Sequence, residues 1–346
     1  MTARIFAFSV MNSFQNYVRL DTEKQKTKEK VVVIGHGWAG RSFIQTVNKQ
    51  KYDITVITDQ PFVDTTKLIS DYKNAQKTDT QILRRCTHIN KAKQEIQTES
   101  GPTVKYDHLV LATGTEVNTF GVPGVTKYGL TLKSLKDAEL FWKKVPSTTA
   151  LNIVGAGAVG IELAMEVRKR SNIPIRIFEA TDTILLPYSQ AARTIVENQL
   201  QQADITLHTK TPVKEVLATG VTSGTLHFEG DTTVWCTGIK APYLVNSVAD
   251  GRLTVTPFLQ VKDQQNIYAI GDIAGVPNAQ NAVQQGKYLA HRFNYEIQNT
   301  KDGNSYKYSE WLKLVHCRDG IVIDTKYFAL IVPTWCDRIL RYFYSS

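Results

Sequence analysis

The 346-residue chain has few of the residues and patterns that mark several common classes of protein. Its four cysteines, Cys86, Cys236, Cys317 and Cys336, stand far apart and form neither CxxC nor CxxxxC. That spacing gives no reading as a zinc knuckle or a redox-active disulfide, and buried free thiols in a reducing compartment are expected instead. The seven histidines are scattered, with no HExxH and no matching carboxylate cluster, so no metal is expected. No GxSxG elbow is present, which removes the usual signature of a serine hydrolase. No apolar run approaches the roughly 18–20 residues that cross a bilayer, which argues against an integral helical membrane protein. The formal charge of +9 is spread along the chain without interleaved aromatics, so nucleic acid is not an expected partner.

Acidic residues are also missing from the first twenty positions, which carry Arg4 and Arg19. On a helical wheel Phe6, Val10, Met11, Phe14, Tyr17 and Val18 gather on one side. Residues 1–29 are therefore expected to be a mitochondrial presequence or an interfacial anchor. The polar run DTEKQKTKEK at 21–30 reads as a solvated linker.

What the chain does carry is a repeated glycine turn. GHGWAG at 35–40 follows the apolar, β-branched run VVVI at 31–34, and GAGAVG at 155–160 follows a strand-like run at 151–154. Each opens a stretch with helical periodicity, through Phe43, Ile44 and Val47 in the first case and over 159–169 in the second. DITVIT at 53–58 and the run at 173–178 supply the next strands. Strand, glycine turn, helix and strand in that order begin a dinucleotide-binding unit. Further buried strands are expected at 108–112, ending at Thr113 and Gly114, at 234–238, and in NIYAIGD, with a helix from about 279 to 298. An α/β fold with two Rossmann-like domains explains the order, residues 119–238 being inserted in a first domain split into 30–118 and 239–300. The stretch 71–105 is polar and weakly patterned. Residues 301–346 form a C-terminal segment in which Pro333 starts an amphipathic helix over 335–344, with Trp335, Ile339, Leu340 and Phe343 on one face and Asp337, Arg338 and Arg341 opposite.

Two such loops in one chain point to two dinucleotides. An NAD(P)H and a flavin held face to face exchange a hydride with almost no help from side chains. Glycines let backbone N–H groups and the positive end of a helix approach a pyrophosphate. On this reading Gly35, Gly37, Ala39 and Gly40, with Thr113 and Gly114, hold FAD, while Gly155, Gly157, Gly160 and Gly238 hold NADH. Asp59 and Glu179 each lie 24 positions past the first glycine of their loop and are expected at ribose hydroxyls. A carboxylate at Glu179 repels a 2′-phosphate, which favours NADH over NADPH. Gly271 and Asp272 close an apolar strand and are expected just before a helix. Asp272 is assigned to a ribityl hydroxyl of the flavin, with a helix N-cap as the structural alternative.

With these residues in place, the chain over 31 to about 293 resembles the type II NADH dehydrogenases, the single-subunit rotenone-insensitive NADH:quinone oxidoreductases, in their eukaryotic mitochondrial form. GHGWAG resembles the family's first flavin loop including its tryptophan, Trp38. YDHLVLATG, NTFGVPGV with Asn118, Phe120, Pro123 and Gly124, and LKSLKDA are close to family wording. The resemblance implies that Glu162, in GAGAVGIELA, lies near the nicotinamide. It also implies that Gln280 and Gln284, in AQNAVQQGKYLA, sit where flavin and quinone meet. Asp64, Thr65 and Lys67 depart from the family pattern, and both the 71–105 region and the tail are shorter than usual. The resemblance implies electron transfer from NADH through FAD to a membrane quinone without proton pumping. It further implies a protein docked peripherally on the mitochondrial inner membrane, with a homodimer as one assembly. The same scaffold serves apoptosis-inducing-factor-like and ferredoxin-reductase-like enzymes, and the shortened loops and tail leave a non-catalytic flavoprotein that binds partners as another alternative. The missing cysteine pair disfavours a thiol reductase.

Overall fold

The computed structural model describes residues 27–60, 62, 67–71, 82–248, 253–295, 304–337 and 340. The expected presequence or anchor falls almost entirely outside them. Strand β1 (Glu29–Ile34), helix α1 (Trp38–Thr46) and β2 (Tyr52–Thr58) are followed by β3 (Ile82–Leu83), β4 (Cys86–Asn90), β5 (Glu95–Thr98), β6 (Val104–Lys105) and β7 (His108–Leu111). The chain continues through β8 (Glu116–Val117), α2 (Val125–Tyr128), β9 (Gly129–Leu130), α3 (Leu135–Lys144), β10 (Leu151–Val154), α4 (Ala158–Arg170) and β11 (Ile175–Phe178). Next come α5 (Gln190–Gln202), β12 (Thr206–His208), β13 (Glu215–Leu217), β14 (Gly220–Ser223), β15 (Leu226–Glu229) and β16 (Thr232–Trp235). Finally β17 (Ile239–Lys240), β18 (Ile267–Ala269) and α6 (Ala279–Tyr295) precede β19 (Lys313–His316), β20 (Ile321–Asp324) and β21 (Ala329–Val332).

Two five-stranded sheets dominate, in the orders β18-β7-β1-β2-β3 and β12-β11-β10-β16-β9. Each is parallel and each has the strand before a glycine loop inside it. In the first, Val33 pairs with Val56 on one side and Val110 on the other. In the second, Ile153 pairs with Ile177 and Val234. A parallel strand with neighbours on both edges and layers on both faces has no side open to water, so apolar residues dominate it. Val31, Val32, Val33 and Ile34 are accordingly all buried. Beneath the first sheet α1 crosses α6, with Phe43 meeting Phe293 edge-on at 5.2 Å. Fully burying one such ring contributes about 1.5–3 kcal/mol. The chain crosses between the two sheets at β8 and β17, which pair antiparallel, Val117 opposite Ile239 and Glu116 opposite Lys240.

Several expected boundaries shift. β1 begins at Glu29, inside the expected linker, because Glu29 and Lys30 pair with Tyr52 and Asp53 of β2. The strand expected at 173–178 starts after Pro174, which has no N–H to give a ladder and only accepts, from Leu151 N at 2.9 Å. The strand expected at 234–238 occupies Thr232–Trp235. The weakly patterned stretch holds the antiparallel sheet β4-β5-β6. Its facing pair Ile89 and Ile96 is buried with Cys86 and against Val104 among mostly polar positions, too few apolar residues to show a period. The tail differs most, since β19, β20 and β21 form an antiparallel sheet where only a helix was expected. Pro333 does start a helical turn at Thr334–Cys336, and Asp337 and Leu340 beyond it are helical. Trp335 is 73% exposed while Leu340 is buried, so these two do not share one face. Ile339, Phe343, Arg338 and Arg341 of that expected helix lie outside the described residues.

Candidate functional site

The two glycine loops are built alike. Gly35 N donates to Ile57 O and Gly155 N to Phe178 O, both at 2.8 Å, which ties each loop to the end of the next strand. Gly35 and Gly155 adopt φ of +98° and +110°, a left-handed region that costs L-residues dearly. A Cβ on Gly155 would also stand 2.8 Å from Thr237 Cβ. Gly40 and Gly160 lie on the first turns of α1 and α4, where a Cβ would run into the carbonyl oxygens of Gly35 and Gly155. The middle glycines differ, for a Cβ on Gly37 or Gly157 would meet nothing within 4 Å.

That open space lies at helix starts that lack side-chain caps. Gly37 and Gly157 are the N-cap residues of α1 and α4, with no cap hydrogen bond and no acid in the first turn. By contrast Ser134 and Asp137 form a capping box on α3, and Ser189 caps α5. First-turn N–H groups that no N-cap side chain takes, together with the helix dipole, suit an anionic pyrophosphate. In the first sheet the loop is bordered by Thr113, whose buried Oγ1 has no protein partner, and by Gly114 at φ +63° with open space beside its Cα. Trp38 packs edge-on against Phe62 at 5.2 Å and Ala39 is buried. Asp59 is exposed just past β2. Burial pushes the Asp272 carboxyl up from the usual range, while Lys133 pulls it back. Lys133 itself donates to Thr115 Oγ1 at 3.1 Å. An orphaned hydroxyl, a partly desolvated carboxylate and a methyl-sized opening over an uncapped helix fit a bound dinucleotide.

In the second sheet Glu179 directly follows β11 and its Oε2 accepts from Ala156 N at 3.0 Å, inside the glycine loop. Its Oε1 accepts from Thr181 N at 3.0 Å. The carboxylate is thus held at the loop, where a ribose attached to a loop-bound phosphate would lie. Gly238, at φ +73°, accepts through its carbonyl from Asn118 N at 3.1 Å, at the crossing between the sheets.

One expectation is corrected at Asp272. It lies seven residues before α6 and so cannot cap it. The chain turns through 271–278 first, and Asn278 takes the capping role, its Oδ1 accepting from Asn281 N at 2.6 Å. Gly271 N donates instead to the buried Gln285 Oε1 at 2.6 Å. Sequence reasoning chose the neighbouring glutamines and missed Gln285, because only the crossing of α6 beneath β18 shows which of them faces the loop.

Gln280 and Gln284 are both engaged. Gln284 Nε2 donates to Ser309 O at 2.8 Å and its Oε1 accepts from Ser309 N at 3.1 Å. Gln280 Oε1 accepts from Tyr308 Oη at 3.2 Å and from Trp311 N at 3.4 Å. The two amides therefore clasp residues 308–311 against α6. Glu162 is placed elsewhere, on α4 beside a cavity of about 170 Å³ also lined by Ile69, Met165, Lys169, His316 and Asp337. Its Oε1 accepts from His316 N at 3.0 Å and bonds His316 Nδ1 at 2.8 Å. His316 Nε2 bonds Asp337 Oδ1 at 2.9 Å. No motif announces His316 or Asp337.

The family model described as pyridine nucleotide-disulphide oxidoreductase matches residues 29–286. The chain belongs to that family. It is similar to a probable mitochondrial NADH-ubiquinone oxidoreductase of Schizosaccharomyces pombe, 24% identical over 78% of this chain and 62% of that protein. It is similar also to a probable NADH dehydrogenase of Dictyostelium discoideum, 29% identical over 77% of this chain and 73% of the relative. It thus spans less than two thirds of the fission-yeast relative's length. Among solved structures, the NDH2 of Plasmodium falciparum in complex with NADH superposes with a TM-score of 0.80 at 19% identity, over 92% of this chain and 94% of that one. That likeness is one of fold. Among the described residues no helix is long and apolar enough to cross a membrane.

Proposed function

We propose that this family member is an FAD-dependent NADH dehydrogenase of the type II kind, passing electrons from NADH through FAD to a quinone without pumping protons. The observation that carries the reading is the pair of uncapped helix starts, each with an open middle glycine, set on two parallel sheets. The relatives from yeast, an NADH-ubiquinone oxidoreductase, and from Dictyostelium, an NADH dehydrogenase, support NADH as donor and a quinone as acceptor. Gly35, Gly37, Trp38, Ala39, Gly40, Asp59, Thr113, Gly114, Gly271 and Asp272 would hold FAD. Gly155, Gly157, Gly160, Glu179 and Gly238 would hold NADH, with Glu162 near the nicotinamide. FAD supplies a two-electron acceptor that can also release electrons singly. The protein's own work is positional: the loops orient both pyrophosphates, Glu179 reads the ribose, and α6 with residues 308–311 bounds the acceptor side through Gln280 and Gln284. Residues 30–118 with 239–300 act as the FAD domain and 119–238 as the NADH domain. We place the protein peripherally on the mitochondrial inner membrane, with homodimerisation tested by mass in solution.

The test is the absorption spectrum of the purified chain, anaerobically, before and after NADH and then after a short-chain quinone. A yellow protein bleached by NADH and recoloured by quinone supports the reading. A colourless chain that added FAD does not reconstitute refutes it. Bleaching followed by recolouring with ferredoxin but not quinone would reassign the acceptor.

A further inference from the structure

The cavity beside Glu162 lies where three parts of the chain meet. Ile69 and Ser70 come from beyond β2, Glu162, Met165, Glu166 and Lys169 from α4, and His316 and Asp337 from the C-terminal region. His316 projects from the end of β19, and both its ring nitrogens and its backbone N–H are spent on carboxylates. We propose that His316 is a positioning residue for Glu162: clamped between Glu162 and Asp337, it fixes the orientation and charge of that carboxylate at the cavity where α4 meets Ile69 and Ser70. This rests on the NADH dehydrogenase reading above and assigns the C-terminal sheet a part in it.

The chemistry follows from charge. When a hydride leaves NADH with its electron pair, the nicotinamide ring gains one positive charge. A fixed carboxylate nearby favours that change, whereas a carboxylate free to swing toward Lys169 or to pick up a proton does not. Burial alone would lower the His316 imidazole, but its hydrogen bonds to Asp337 and Glu162 more than reverse this and lift it to about 9. Below that pH the cluster holds one cation between two anions. Above it, the ring has one N–H for two carboxylates, and the hold on Glu162 rests on the His316 backbone N–H, at 3.0 Å, and on whichever ring nitrogen keeps the proton. The other charged groups facing the cluster are Glu166 and Lys169, which pair with each other at 3.4 Å, and Arg170, which bonds Glu166 at 2.7 Å. Among the described residues, Asp319 and the buried Cys317 thiol, pushed up to about 12 by burial, face it on the β19 side.

The docked C-terminal sheet brings this clamp in. Ser189 N and Oγ donate to Asp324 at 2.9 and 2.6 Å, and Tyr188 Oη donates to Leu314 O at 2.9 Å. These bonds pin β20 and β19 to the start of α5. His316 therefore reaches Glu162 only when the sheet is in place.

The experiment compares the wild type with Asp337→Asn and His316→Gln as purified flavin-loaded proteins. Nuclear magnetic resonance follows the His316 imidazole from pH 6 to 10, and anaerobic rapid mixing follows bleaching of the flavin by NADH over the same range. In the wild type the imidazole and the bleaching rate are expected to share an inflection near pH 9. Asp337→Asn, which keeps an acceptor but removes a charge, is expected to move both inflections down by about one unit or more. His316→Gln is expected to bleach about tenfold more slowly below pH 8 and to show no such inflection. The inference is overturned if His316 titrates near 6.5 in the wild type, or if Asp337→Asn moves the imidazole but leaves the bleaching profile unmoved. Should His316→Gln fail to fold, the Asp337→Asn comparison decides alone. A wild type that NADH does not bleach sinks the dehydrogenase reading itself, a different outcome from normal bleaching with an unmoved profile.

Discussion

Replacing Gly157 with alanine separates a glycine needed by the protein from one needed by its ligand. Gly157 has φ −78° and ψ 178°, extended backbone open to any residue, and its Cβ would meet nothing within 4 Å. Alanine there narrows the unfolded ensemble, worth about 0.4–1 kcal/mol, but is a poorer N-cap than glycine by a comparable amount, so Gly157→Ala should melt close to the wild type. The methyl group would nevertheless fill the opening over the start of α4. A pyrophosphate pushed outward loses about one charge-assisted hydrogen bond, worth about 1.5–3 kcal/mol, which is roughly 10- to 150-fold in affinity. Gly160→Ala is the contrasting variant, since its Cβ would collide with the Gly155 carbonyl oxygen and crowd Ile153 Cγ2 at 3.3 Å. Overpacking of that kind costs about 1–3 kcal/mol, so Gly160→Ala should lose both stability and NADH. The assay is calorimetric titration with NADH beside thermal melting, with FAD content as an internal control because the first loop is untouched. Undiminished NADH affinity in a well-folded Gly157→Ala protein would refute the placement of the second dinucleotide.

Three further outcomes are expected. Glu179→Gln removes the charge held by Ala156 and Thr181 and should raise the NADPH-to-NADH ratio of kcat/KM about tenfold; an unchanged ratio rules out the role in ribose selection. Gln284→Ala breaks the paired bonds to Ser309 and should lower quinone reduction about tenfold while NADH still bleaches the flavin; equal loss of both half-reactions would show a purely structural residue. The raised His316 imidazole also makes stability depend on pH. Its contribution is complete below about 6.5 and is lost as pH rises through about 9, roughly 1–2 kcal/mol after solvent screening of a half-buried group. Melting followed from pH 6 to 10 should therefore fall on the alkaline side more steeply in the wild type than in Asp337→Asn.

The local sequence sufficed where one physical requirement filled every position of a segment. VVVI before Gly35 and LNIV before Gly155 belong to strands hydrogen-bonded on both edges with no face open to water, so apolar residues fill all but Asn152, which is buried and donates to Phe228 O at 3.3 Å, and their identity survives without knowledge of the rest. The glycine turns were legible for the same reason, because left-handed backbone and close carbonyls select glycine locally. The β4-β5-β6 and β19-β20-β21 sheets were not legible. Each buries only some of its residues, and the period of a half-covered strand is set by the layer that comes to lie on it.

What the amino-acid order determined by itself is thus the pair of dinucleotide loops and the two parallel sheets behind them, since these depend on neighbours along the chain. Which side chains meet was decided only in three dimensions. Gln285 rather than Gln284 bonds Gly271 because of how α6 crosses under the sheet. Glu162 and Asp337 flank His316, Glu162 across some 150 residues, because the C-terminal sheet docks on α4 and α5. Contacts at such separation carry no periodic signal, for their geometry is a property of packed layers and not of any stretch of sequence.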